Sequence, residues 1–550
     1  MKEKLKNILK NINLLDIISI LIISSCFALS KDLINDKTLS LSFGLFLRFA
    51  GFTTLFFFMF LFFRIALEKL SKSRKKIKII DKIMCNKKGF LIIATIIFIC
   101  WLPFLLMLYP GTCINDTWSQ LASVIRLKSG QWSMSANNPV LDTVYMSLII
   151  LPIVYKFGNW HLAIFVYVLV QAVITSLVFS YSIIYVKEKL KLNNKLILLL
   201  FLIYILCPIY VSSVQTVSKD ALSAWIYLLF TIQFIEIVRT KGNYFNNSKN
   251  MLIHIITVII CILSKKTESY IIIFSYIPLL IIYRKKIKYL IIPFITTCLV
   301  SFIILPVFNM TFTISKSGKQ EMYSLPFQMT ARYVKYNSKK VTQEEKIIID
   351  KVLNYDELSI LYNPTDADPV KKYSQKGKDS DYIEYLKVWF KQGIKDPKTY
   401  VNAISCHISG WFSTVEYKPL LNMDWHNQIN NSNIPENITK RNNISYKTYT
   451  LYNKTYDFIY NLPIIKIFLS YGFYATFMPL FIILTLLKNK KYKLLPSCIP
   501  LMISIIIGCY LAPVSISLEG LRYLYPITYT LPILLMLVAY SYNANSKSNA

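Results

Sequence analysis

Thirteen stretches of this 550-residue chain are apolar and carry little charge: 14–29, 41–63, 90–108, 140–156, 161–186, 196–210, 221–238, 251–263, 270–283, 289–308, 466–487, 494–512 and 522–541. Crossing the hydrocarbon core of a bilayer takes about 20 predominantly apolar residues in a helix. Runs of that kind, repeated along most of a chain that is 54% hydrophobic, predict an all-α integral membrane protein.

The distribution of charge then limits the topology. Lys and Arg number 62 against 29 Asp and Glu, a net charge of +33. A nucleic-acid partner is not needed to explain it, because the cations gather in short connectors such as "KEKLKLNNK", "RTKGNYFNNSKN", "RKKIK" and "KNKKYK". Cytoplasmic loops of membrane proteins collect Lys and Arg in this way. Keeping all of these connectors inside is impossible if 140–156 and 161–186 both cross. The first of the two opens at Pro139, carries Asp142 and Pro152, and ends in Gly158-Asn159-Trp160. It is therefore expected to lie in the outer interface as an amphipathic or partly re-entrant helix. About 12 transmembrane helices remain, with both termini cytoplasmic. The basic, then apolar, amino terminus has the look of a signal sequence without a small-residue cleavage site, and is expected to be a retained first span. The ten cysteines show no CxxC pair and are read as small hydrophobes, with nothing to pair Cys113 and Cys406.

Three regions follow: an N-terminal transmembrane module, 1–308, with a first outer loop at 109–160; an extracytoplasmic insert, 309–465, of ordinary soluble composition and helical pattern; and C-terminal transmembrane helices, 466–550. Shorter outer connectors are expected at 211–220, 264–269 and 513–522.

The chemistry-bearing residues sit on those connectors. In "YPGTCINDTWSQL", Thr117-x-x-Gln120 reads as a capping box, and Trp118, Leu121, Ala122 and Ile125 follow at helical spacing. A short surface helix is expected, and Asp116 beside it has two readings. It is a solvated acid favoured at the helix's positive end, or a carboxylate that takes a proton from an incoming hydroxyl. Lys219 and Asp220 lie on the second outer connector, Lys265 and Lys266 on the third, Glu519 and Arg522 on the fourth. Single lysines there can snorkel to headgroups. Four cations on three outer connectors also suit one shared anionic ligand, a lipid-linked phosphate or diphosphate.

An aspartate in the first large outer loop, then surface helices, then many spans, resembles the GT-C superfamily of membrane glycosyltransferases. The ordered set "YPGTCINDTWSQ", "NNPVLDT", "SKDAL", "LPFQMTARYV", "DADPVKKY" and "LRYLYP", spread over about residues 100–540, looks closer still to a domain of unknown function from low-GC Gram-positive bacteria. The resemblance implies a GT-C-like bundle with juxtamembrane helices on the outer surface of a bacterial plasma membrane. It also implies transfer of a sugar from a polyprenyl-phosphate-linked donor to an extracytoplasmic acceptor: cell-wall glycan, teichoic acid, lipid or protein. Asp116 occupies the position of the superfamily's catalytic aspartate, and would act as general base in a single, inverting displacement. Lys219, Lys265, Lys266 and Arg522 would hold the lipid phosphate. Asn115, Asn138, Asp142, Asp220, Gln328 and Arg332 are candidate substrate contacts. Two departures stand out: Asn115 replaces a second acid, and Asn137-Asn138 replace a histidine. The missing second acid leaves no pair to hold a divalent metal, and no cofactor is required.

Other classes keep some of these features. A flippase or other transporter of lipid-linked saccharides would also want outer cations, but places ionisable groups at mid-membrane. A polysaccharide polymerase remains a glycosyl transfer. The four histidines, His161, His254, His407 and His426, lack ligand spacing and are assigned no chemistry, and Asp368 and Lys371 are explained equally well by a turn.

Overall fold

The computed structural model describes residues 12–35, 42–73, 77–84, 88–128, 138–314, 320, 322–372, 377–414, 443–511 and 521–546. Each of the thirteen apolar stretches is helical over most of its described length. The first half of the chain forms α1 (Leu14–Ile34), α2 (Phe43–Ser71), α3 (Lys78–Met84) and α4 (Gly89–Met107), followed by strand β1 (Thr112–Cys113). The short surface helix is α5 (Asn115–Lys128), and α6 (Val140–Phe157) and α7 (Trp160–Glu188) come next. Then α8 (Asn194–Leu206) and α9 (Pro208–Val214) precede strand β2 (Thr216–Val217). The buried centre begins with α10 (Lys219–Arg239), α11 (Ser248–Ser264) and α12 (Lys266–Ile282). Helix α13 (Ile287–Leu299) continues through a wide turn at Val300–Ile304 into α14 (Leu305–Thr311).

Among the described residues, nine helices are long and apolar enough to cross a membrane. A tenth candidate is the α8–α9 pair, which bends by 52°. Pro208 stands at the bend, where its ring cannot continue the preceding helix's hydrogen bonds. Helix α11 and residues Phe473–Lys488 are apolar but shorter. Helix α6 is one of the nine and folds back along α7, with Tyr145 packed on Tyr167 at 5.4 Å. Gln120 of α5 bonds Asp142 in its first turn. After the left-handed turn at Gly158, His161 and Phe165 of α7 pack on Tyr109.

The insert contributes α15 (Ser324–Asn337), α16 (Gln343–Asp350), α17 (Leu358–Leu361), α18 (Asp368–Lys372), α19 (Asp379–Lys395) and α20 (Pro397–Ile408). They enclose two apolar clusters apart from the bundle's. One is built on Phe327, Val352, Leu358 and Tyr385, the other on Leu325, Met329, Tyr333 and Tyr400. Helix α16 opens with a full capping box between Thr342 and Glu345. The chain returns through α21 (Asn443–Tyr460), α22 (Pro463–Phe468), α23 (Met478–Lys488), α24 (Ile499–Leu511) and α25 (Leu521–Ser546).

Two helices dominate the core. The apolar windows of α10 and α25 are 89% and 94% buried, against 22–61% in the other seven candidate spans. They pack side by side along their length. Because they start at the same end of the bundle, Lys219 and Arg522 in their first turns are brought together there.

Candidate functional site

The site is assembled by a two-strand parallel bridge between the connector after α4 and the connector before α10. Thr112 pairs with Thr216 and Cys113 with Val217. The Thr112 amide donates to the Gln215 carbonyl at 2.9 Å, and its hydroxyl to Gln215 Oε1 at 2.8 Å. From α7, Gln171 Nε2 donates to the carbonyls of Val214 at 2.7 Å and Thr216 at 3.1 Å, fixing the second connector from behind. Gly111 makes the approach possible. Its φ is +117°, and a Cβ there would meet Val168 Cγ2 at 2.6 Å and the Gln215 carbonyl oxygen at 3.0 Å. Gly111→Ala is expected to cost about 1–3 kcal/mol and to displace Asp116, read as a lower unfolding temperature together with weaker ligand binding.

Helix α5 starts two residues earlier than the capping-box reading placed it. Thr117 lies inside the first turn. Its hydroxyl accepts from the Ile114 amide at 3.2 Å and donates to the Val217 carbonyl. Gln120 does not reach back to the helix start. It donates instead to Asp142 Oδ2 at 2.7 Å and Thr143 Oγ1 at 3.0 Å. A tertiary acceptor has displaced the local one, while the apolar face expected on α5 holds, with Trp118, Leu121 and Ala122 buried.

This frame gathers cations from three connectors. Lys219 Nζ stands 3.0 Å and Arg522 Nη1 3.2 Å from the same oxygen, Oδ2 of Asp116. Lys265 Nζ stands 2.6 Å from Oδ1 of Asp220. Tyr523 lies between the groups, its ring 5.2 Å from the Arg522 guanidinium and 5.9 Å from the Lys265 ammonium. The three cationic side chains are 11–18% exposed, each folded back onto a carboxylate of the protein. Burial pushes the Asp116 carboxyl up, but Lys219 and then Arg522 outweigh it and hold the group below its ordinary value. These ion pairs contribute stability above the pKa of an unfolded Asp, about 3.9. That contribution is lost as pH falls through the lower folded value.

An apolar groove of about 420 Å³ adjoins the cluster. Val144, Leu148, Leu151 and Tyr155 of α6 face Phe308 of α14 and nearby Phe312 across it. Thr143 links the two, lining the groove and accepting from Gln120, which is four residues along α5 from Asp116.

The other sequence candidates are distributed differently. Asp142 joins the cluster through Gln120, and Asn115 begins α5. Asn138 is half-buried just before α6, while Asn137 and Glu519 fall outside the described residues. Lys266 is exposed in the first turn of α12, next to Lys265. Gln328 and Arg332, expected on the substrate side, belong to the insert's interior. Gln328 donates to the carbonyls of Asn363 and Asp366, and Arg332 to Tyr362 Oη at 2.6 Å and Cys406 Sγ at 3.6 Å. Asp368 pairs with Lys371 within one turn, at 2.8 Å. Cys113 and Cys406 are not joined by a disulfide. His254 is fully buried between Gln233 Oε1, 2.6 Å from Nδ1, and the Tyr276 hydroxyl at Nε2. Gln233 Oε1 only accepts, so Nδ1 carries the proton and Nε2 accepts from Tyr276. The ring is satisfied on both sides, as a core histidine is.

Sequence reasoning missed Glu268 and Tyr523. Glu268 is three residues beyond Lys265 in "SKKTES", a signal equal to that of Asp220 beside Lys219. No group of three or more His, Cys, Asp or Glu side chains among the described residues has the arrangement of a metal site.

No curated protein and no solved structure matches the chain. A family model does, over residues 17–550, so the chain belongs to the family of unknown function DUF6020.

Proposed function

We propose that the chain is a membrane glycosyltransferase that moves a sugar from a polyprenyl-phosphate donor to an acceptor outside the cytoplasm. The observation that carries this reading is the convergence of Lys219, Lys265 and Arg522, from three connectors, beside an apolar groove. A ligand with an anionic head and a hydrocarbon tail suits that pairing. The resemblance of the loop aspartate, surface helices and many spans to GT-C glycosyltransferases supports the same substrate class.

The chemistry follows from the charges. In the resting site Asp116 is clamped by Lys219 and Arg522 and is a weak base. A donor phosphate competes for both cations and frees the carboxylate. Asp116 then takes the proton of the acceptor hydroxyl as its oxygen attacks the anomeric carbon. The bond from that carbon to the phosphate oxygen breaks on the opposite face, inverting the configuration. Lys219, Lys265 and Arg522 stabilise the charge left on the lipid phosphate.

The test is binding of a short-chain polyprenyl-phosphate sugar to the full chain in nanodiscs. Lys219→Ala, Lys265→Ala and Arg522→Ala together are expected to weaken binding by at least about 100-fold, taking 1.5–3 kcal/mol for each charge-assisted contact. An unchanged affinity in the triple variant rejects the site.

A further inference from the structure

We propose that Glu268 carries a proton in the ligand-binding form of this site, so that capture of an anionic headgroup by Lys265 depends on pH. The inference rests on the donor reading above.

Lys265 is the residue between α11 and α12, and its ammonium is committed to Asp220. Glu268, in the first turn of α12, is 0% exposed, and neither of its carboxylate oxygens has a hydrogen-bond partner. Among the described residues, the charged and titratable groups acting on it are Lys265 before α12, Cys261 from α11, and Asp220 and Tyr227 from α10. Tyr227 offers it no hydrogen bond, since the hydroxyl is paired at 2.8 Å with Ser504 of α24. Asp142 and Asp220 are buried as deeply, but one Asp142 oxygen accepts from Gln120 and Asp220 faces the Lys265 ammonium. Glu268 has no such donor.

A carboxylate buried without donors costs several kcal/mol. A single proton removes that cost and turns one oxygen into a donor. The candidate acceptor is Asp220, which acts on Glu268 through its charge and is not hydrogen-bonded to it in the resting site. Its Oδ1 is 2.6 Å from Lys265 but outside hydrogen-bonding geometry, and has no other partner. When a phosphate draws Lys265 away, Asp220 loses its cation, and two carboxylates plus the ligand would face one ammonium. With a proton taken from solvent onto Glu268, the ligand phosphate and Asp220 are the two anions left at Lys265. The neutral acid can then donate to Asp220. Glu268 acts here through Lys265 and Asp220 as a positioning residue, without touching the reacting atoms.

The probe is the methyl ester of farnesyl phosphate, a phosphodiester whose single charge does not titrate between about pH 5.5 and 8.5. Its affinity for the full chain in nanodiscs is measured across that range. Wild type is expected to lose up to about tenfold in affinity per pH unit on the alkaline side, the slope of one coupled proton. Glu268→Gln, which keeps the neutral shape, is expected to bind with a flat profile. Calorimetry of wild type in two buffers of different ionisation heat reads the same proton directly, whether or not the variant folds. Uptake approaching one proton on the alkaline side supports the proposal. A flat wild-type profile without proton uptake overturns it and leaves the donor reading intact. A wild-type slope retained in Glu268→Gln also overturns it, because the proton then sits elsewhere. No binding of the probe at any pH overturns the donor reading, and this inference with it.

Discussion

Asp116→Asn is expected to lower sugar transfer by about 10²–10⁴-fold, the usual contribution of a general base, while donor affinity rises. The two effects have one origin. Asp116 neutralises Lys219 and Arg522 in the empty site, so removing its charge leaves both cations for the phosphate. A helix-start acid predicts something else: slight destabilisation of α5 and unchanged turnover. Separate measurement of kcat and of donor binding distinguishes the two. The pH profile adds a check of sign. Because the cations hold the Asp116 carboxyl down, protonation of the free enzyme reduces kcat/KM only below the ordinary carboxylate range. Asp116→Asn lacks that acid limb.

The second large effect lies away from the site and tests the bundle. Asp16 of α1 and Arg64 of α2 form a bidentate pair at 2.5 and 2.7 Å, with residue exposures of 0% and 1%. Arg64 Nε also donates to Thr485 of α23 at 3.1 Å, so one guanidinium joins three helices. Asp16 has a further duty, accepting from the Asn13 amide at 2.8 Å in the cap of α1. Arg64→Met leaves a buried carboxylate without its counter-charge and is expected to cost about 3–5 kcal/mol. Adding Asp16→Asn should recover much of that loss, because the uncompensated charge is gone while the amide still meets part of the local hydrogen bonding. Thermal unfolding of the single and double variants in detergent gives the comparison. Equal losses in both would show that the pair's charge is not what matters.

The helices were legible in the sequence because burial in lipid and burial in protein both demand apolar residues, and the thirteen apolar runs end near the helix ends. How the spans pack was not legible. Apolar character alone does not set 221–238 or 522–541 apart from the Phe-rich 41–63, yet α10 and α25 form the core and most of the α2 window is unburied. Helix partners are chosen by shape, which periodicity does not encode. The candidate site was half legible. Lys219, Lys265 and Arg522 stood out because cations oppose the charge bias of outer connectors, and the fold brings these three together. Lys266 shared that signal but is exposed at the start of α12. Gln328 and Arg332 were singled out by an i, i+4 spacing that any helix supplies, and both proved to be internal ties of the insert. Glu268 was passed over because an acid near a helix start is ordinary. Only its burial without a partner makes it unusual.

The most direct test of the account is to ask whether the bond from sugar to phosphate is broken. The full chain is reconstituted in proteoliposomes with a short-chain polyprenyl-phosphate sugar labelled in the sugar, and lipid and sugar are separated after incubation with cell-envelope acceptors. Release of polyprenyl phosphate with transfer of the label, absent in Asp116→Asn, is the predicted result. A label that stays on its lipid while moving to the other leaflet would contradict glycosyl transfer and make the chain a transporter of lipid-linked sugar.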